Sequence, residues 1–142
     1  MTRNAIGPLA LAWCLVAGGA LAQPSQQDIQ KRYTPAYGVC MSSPSGQSTN
    51  GMLDCIGAET KVQDKALNAA YAKALKDLTP NERRRLQAAQ RAWITFRDAD
   101  CLARVDPLQW GTISRINGGL CVLDRTIERA IELQAFPPND GG

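Results

Sequence analysis

Histidine is missing from all 142 residues. That removes the side chain most often used as a general base at neutral pH, and the usual nitrogen ligand for zinc. No two cysteines stand in a Cys-x-x-Cys pattern, so the close ligand spacing of structural zinc sites is missing as well. No segment alternates apolar and polar residues as a half-buried strand would. There is no internal repeat, and low complexity is confined to a Ser/Gly/Pro-rich stretch at 42–51 (SSPSGQSTNG), which reads as a loop. Sixteen basic residues against 13 acidic ones leave a net charge of +3, too mild to argue for nucleic acid or a membrane surface.

What is there begins with a targeting signal. Arg3 supplies a positive start, residues 9–17 (LALAWCLVA) form an apolar run, and Ala20-Leu21-Ala22 gives a small-x-small cleavage site. The run falls short of the ~20 residues a membrane-spanning helix needs. We therefore expect a signal peptide over residues 1–22, cleaved after Ala22, and a periplasmic or secreted bacterial protein with no integral membrane segment in its mature chain. Cys14 does not read as a lipid-anchor site, because bulky Trp13 precedes it and it sits inside the apolar run. Loss of Arg3 leaves 15 of the 16 basic residues against 13 acidic, a net +2. Four cysteines remain, Cys40, Cys55, Cys101 and Cys121. An even number in a small exported chain reads as two disulfides.

The mature chain reads as all-α. Thr34-Pro35 has the cap and first-turn residues of a short N-terminal helix. A long helical pattern starts near Asn50, with Met52, Cys55, Val62, Ala66, Ala70, Ala74 and Leu78 on one apolar stripe. Thr79-Pro80-Asn81-Glu82 is a restart signal with a capping box. The second long helix is expected over 80–104, with Leu86, Ala89, Gln90, Trp93, Ile94, Arg97 and Cys101 inward. So short a connection predicts an antiparallel hairpin. A third helix runs to about Gln134 and begins either at Thr112, with a kink, or only after Asn117-Gly118-Gly119, since each glycine costs about 1 kcal/mol inside a helix.

A hairpin turning near residue 78 sets Glu59 level with Arg97 or Asp98, Asp64 with Trp93, Leu67 with Gln90, and Tyr71 with Leu86. Asp64, Asn68 and Tyr71 share one helix face, and Gln90, Trp93 and Arg97 share another. The expectation is a Glu59–Arg97 ion pair and hydrogen bonds from Asp64, Asn68 and Gln90 that hold the register, satisfied as buried polar groups must be. The alternative is a ligand site made by the same residues. Cys55 also falls level with Cys101, so a bridge between the long helices and a local pairing both remain possible. Each local bridge would close a loop of roughly 15 to 20 residues, worth about 3 kcal/mol.

These residues carry a resemblance. Cys40-Met41, then Met52-Leu53-Asp54-Cys55-Ile56, then Glu59, Asp64, Leu67, Asn68 and Tyr71, resemble the lysozyme inhibitor LprI-like N-terminal domain family. So do the run from Ala89 to Cys101 (AQRAWITFRDADC) and the closing Cys121, Thr126, Arg129 and Leu133. The resemblance implies a bacterial, exported, helical domain with paired cysteines, and favours Cys40–Cys55 with Cys101–Cys121. Together with the targeting signal and the Pro-Pro-Asn-Asp-Gly-Gly end, the expected organisation is a signal peptide (1–22), a polar N-terminal segment (23–39), the LprI-like helical domain (40–135) and a flexible tail (136–142). The Asn117-Gly118-Gly119 step departs from the helix-forming segment expected there.

Catalysis is not expected. The thiols are engaged, and Asp98 and Asp100, two apart on a helix, point in different directions, whereas a glycosidase needs two carboxylates facing across a cleft. No cofactor and no metal are expected. The family is named for a lysozyme-inhibiting lipoprotein, which implies a binding protein directed at lysozyme or another peptidoglycan-cleaving enzyme. The alternative is a structural or accessory envelope protein that binds another exported partner. A net +2 chain gains no long-range steering toward basic lysozymes, although residues 106–142 carry five acidic and three basic residues. Trp110 is the aromatic candidate for a partner contact, with capping of the bundle as its other reading. Arg83, Arg84 and Arg85 are the charged candidates, set against a merely solvated face.

Overall fold

A computed structural model describes residues 23–106, 108 and 111–136. The expected signal peptide and cleavage site, Trp110 and the residues beyond Phe136 lie outside the described residues. Within them the protein is all-helical. Its elements are α1 (Gln26–Gln30), α2 (Pro35–Ser42), a 3₁₀ turn (Ser45–Gln47), α3 (Thr49–Ala74), α4 (Pro80–Leu102) and α5 (Ile113–Gln134).

Local chemistry sets the helix starts. Ser25 and Asp28 form a capping box on α1, and Thr34 accepts from the Tyr37 N–H ahead of Pro35 on α2. Ser48 accepts from the Gly51 N–H on α3, and Thr79 and Glu82 form the capping box of α4. Each such cap is worth about 1 kcal/mol. Thr112 makes no side-chain cap at α5. The chain turns into that helix through Gly111, whose φ of 60° lies in the left-handed region that favours glycine.

The helical hairpin runs in the expected order, but α3 and α4 meet through side chains, with Leu67 and Ala70 sharing a cluster with Leu86, rather than at close backbone distance. α5 lies along α3 and also against α4, while α3 and α4 make no close backbone contact. Glycine explains the first contact. A Cβ on Gly119 would stand 3.3 Å from Ile56 Cγ2, and one on Gly118 only 2.4 Å from Val105 Cγ2. The two glycines let α5 approach α3 and the chain leaving α4. Accordingly α5 is one continuous helix from Ile113, which settles the open start; packing against both neighbours outweighs the propensity cost of the glycine pair.

Two apolar clusters result. One holds Leu67, Ala70, Leu78, Leu86, Ala130 and Leu133 at the hairpin end. The other gathers Ile56, Ile116, Leu123 and Ile127 around Ile29 of α1, so the residues before Cys40 contribute to the core. The buried stripe on α3 is Cys55, Ile56, Glu59, Gln63, Leu67 and Ala70. Val62, expected inside, is 48% exposed. The stripe is rotated because Glu59 and Gln63 find polar partners in the N-terminal segment.

The disulfides are Cys40–Cys55, with Cα atoms 5.8 Å apart, and Cys101–Cys121, with Cα atoms 5.5 Å apart. This is the pairing the resemblance favoured. The first ties α2 to α3 and the second ties α4 to α5.

Candidate functional site

The Glu59–Arg97 pair does not form. Glu59 is 3% exposed and faces the N-terminal segment. It accepts the Thr34 N–H at 3.0 Å, the Thr34 hydroxyl at 2.6 Å and the Gln63 side-chain amide at 2.8 Å. Gln63 also donates to the Arg32 carbonyl at 2.7 Å. Glu59 thus fastens the chain before α2 onto α3. Nearby, the Tyr33 hydroxyl donates to Asp124. Burial and that carboxylate raise the Tyr33 phenol above its ordinary range, and burial raises Tyr37 as well.

Arg97 is held elsewhere. It pairs with Asp98 at 2.8 Å, donates to the Thr126 hydroxyl at 3.4 Å, and lies 5.1 Å from the centre of the Trp93 ring. Arg129 of α5 comes to 5.8 Å from the same ring, donates to Gln90 Oε1 at 2.9 Å and pairs with Glu132 at 2.8 Å. Two guanidiniums therefore sit on one half-buried indole, each contact worth about 0.5–1 kcal/mol. Thr126 and Arg129 of α5 are the partners of Arg97 and Gln90 that the hairpin geometry alone does not supply. Their signal was present in the spacing of Thr126, Arg129 and Leu133, which puts all three on one face of a helix.

Gln90 and Arg97 bond to Arg129 and Thr126 of α5 rather than to α3, and a cleft of about 270 Å³ opens between α3 and α4. Asp64, Leu67, Asn68 and Tyr71 line one wall; Gln90, Trp93, Ile94 and Arg97 line the other, with Gln87 and Arg91 beside them. The expected hydrogen bonds across the hairpin are replaced by bonds within walls or to α5. Asn68 donates to Asp64 along α3 at 3.1 Å, and Gln90 turns to Arg129. Among the described residues the Tyr71 hydroxyl has no hydrogen-bond partner, so the cleft offers a phenol, an amide, a carboxylate and an indole edge to whatever enters it.

A larger cavity of about 620 Å³ lies beside α1 and the outer part of α5, lined by Arg104, Asn117, Asp124, Arg125 and Glu128 among others. Its charges are already matched: Asp100 pairs with Arg104 and Arg125, Glu128 with Arg125, and Asp124 receives Tyr33. The smaller cleft is therefore the better candidate for recognition. Arg83, Arg84 and Arg85 stand exposed on the first turns of α4, outside both of these hollows; Arg84 is bonded to Asn81, and Arg85 lines a separate, mostly apolar hollow of about 290 Å³ with Leu78, Leu86 and Phe136. Asp98 is exposed at the rim, paired to Arg97.

Asp100, Cys101 and Cys121 come close together, but both sulfurs are in a disulfide and cannot serve as thiolate ligands. No helix among the described residues is long and apolar enough to cross a membrane.

A family model described as lysozyme inhibitor LprI matches residues 40–133, more than half of the chain. No curated protein and no solved structure matches.

Proposed function

The chain belongs to the lysozyme inhibitor LprI family, and from that membership we propose that it is an exported, non-catalytic binding protein whose partner is a lysozyme or another peptidoglycan-cleaving enzyme. The observation that carries the reading is convergence. Seven residues of the family-like pattern that are scattered over 34 positions of sequence, Asp64, Leu67, Asn68, Tyr71, Gln90, Trp93 and Arg97, meet at one cleft. Leu67 and Gln90 are buried and serve the core, whereas Asp64 and Asn68 are exposed and bonded only to each other, and the Tyr71 hydroxyl, without a hydrogen-bond partner among the described residues, is open to a ligand. Two disulfides suit an oxidising compartment, in keeping with the signal-peptide pattern of residues 1–22.

The cleft takes a protruding loop or side chain of the partner, with Trp93 as its aromatic anchor. Pre-positioning of Trp93 by Arg97 and Arg129 lowers the ordering cost of binding. Clearing of bacterial cell walls by several lysozyme classes, followed by turbidity with and without excess oxidised protein, tests the proposal. Dose-dependent protection against one class is expected, and it should be lost in Asn68→Arg and Ile94→Glu, two accessible lining positions. If the folded protein protects against no class, the accessory envelope role replaces inhibition; if both variants protect like wild type, the cleft is not the contact.

A further inference from the structure

The two sides of α4 differ from those of an ordinary edge helix. One side carries Leu86, Gln90, Trp93, Arg97 and Cys101 toward α5 and the cleft. The opposite side of an edge helix is normally polar. Here it carries Ala88, Ala92, Phe96, Ala99, Leu102 and Ala103, all exposed, and nothing among the described residues covers them. Phe96 is 57% and Leu102 69% exposed.

Charge along the same helix is split by sign. Residues 80–92 hold four arginines and one glutamate, a net +3, whereas residues 93–102 hold two aspartates and one arginine, a net −1. A helix that is basic at one end and acidic at the other complements a copy of itself when the two run antiparallel, and an isologous two-fold contact has that geometry.

We propose that this face of α4 is a self-association surface, and that two copies of the chain pair antiparallel through it about an axis near Thr95 and Phe96. In that register Ala88 of one copy faces Ala103 of the other, Ala92 faces Ala99, and Thr95 faces Phe96. Arg91 and Asp98 fall on the same flank, so each Arg91 reaches toward the second copy's Asp98. The alanines let the helices approach to the low end of the usual ~8–10 Å spacing. Sixteen residues make a stripe about 24 Å long. Covering it buries on the order of 400 Å² per copy, about half of a standard interface. The dimer is therefore weak, with Kd on the order of 10–100 µM.

Sedimentation equilibrium of the oxidised mature chain, over about 1 to 500 µM, tests this. A concentration-dependent monomer–dimer equilibrium is expected. Ala92→Glu should weaken it at least tenfold without lowering the melting temperature, because the position is exposed. Arg91→Asp should weaken it too, and adding Asp98→Arg should restore it by exchanging the two charges. A monomer at every concentration would overturn the proposal, as would a dimer indifferent to Ala92→Glu. A double charge exchange that recovers nothing would overturn the antiparallel register.

Discussion

Replacing Glu59 with alanine should loosen one part of the molecule and leave the rest folded. The carboxylate is buried, accepts three hydrogen bonds at 2.6–3.0 Å, and has no cation at ion-pair distance among the described residues. Bonds to a charged acceptor contribute ~1.5–3 kcal/mol apiece, but they share one side chain and do not add. Gln63 keeps the Arg32 carbonyl as an acceptor, and the Thr34 hydroxyl can turn to water. The Thr34 N–H is left without an acceptor. The net loss should be about 3 kcal/mol, which lowers the melting temperature of a domain this size by roughly 10–15 °C. Glu59→Gln keeps one acceptor oxygen and should cost about half as much. Calorimetry gives the magnitude, and amide hydrogen exchange gives the place: protection should fall over residues 26–42 while α4 and α5 stay protected. A melting point within about 2 °C of wild type, with exchange unchanged over 26–42, would refute the reasoning.

Other outcomes follow from the same geometry. The Tyr33 and Tyr37 phenols are raised in the folded state, so their stabilisation is intact below the unfolded value of about 10 and is lost as pH rises above it. Denaturant titrations should show stability falling above that pH, with a shallower fall in Tyr33→Phe. Gly57 of α3 has open space around a new Cβ, so Gly57→Ala should stabilise by about 1 kcal/mol. Gly118→Ala should instead destabilise by ~1–2 kcal/mol, since its Cβ collides with Val105; chemical denaturation distinguishes the two signs. Replacing Cys101 and Cys121 together with serine opens a loop of sequence separation 20 and should cost about 3 kcal/mol, read as a lower denaturation midpoint with a steeper slope, since the unrestrained unfolded chain exposes more surface.

Much of the architecture is local and therefore legible in the chain. Thr34-Pro35 and Thr79-Pro80-Asn81-Glu82 each place a cap, a first-turn proline or a capping box where a helix starts, and such signals need no knowledge of tertiary contacts. The failures are non-local. Helical periodicity places Val62 inside, gives Glu59 to a cross-hairpin ion pair and says nothing of Gln63, because the partners that bury Glu59 and Gln63, Thr34 and Arg32, come from a segment that composition describes only as polar. Level-matching across the hairpin assumes that α3 and α4 pack at close backbone distance. Gly119 brings α5 against α3, and Gly118 brings it against Val105 beyond α4, and that close approach shows only once three helices are placed together. For the same reason the residues of the cleft could be named individually from the sequence, while the opening between them could not.

The central claim is that the α3/α4 cleft is where a cell-wall-cleaving enzyme is bound. Its most direct test is amide chemical-shift mapping of the isotope-labelled, oxidised protein titrated with the lysozyme class that it protects against. Shifts concentrated on residues 64–71 and 87–97 are the predicted result. Shifts confined to the chain around Trp110 or to Arg83–Arg85, with the cleft silent, would contradict it.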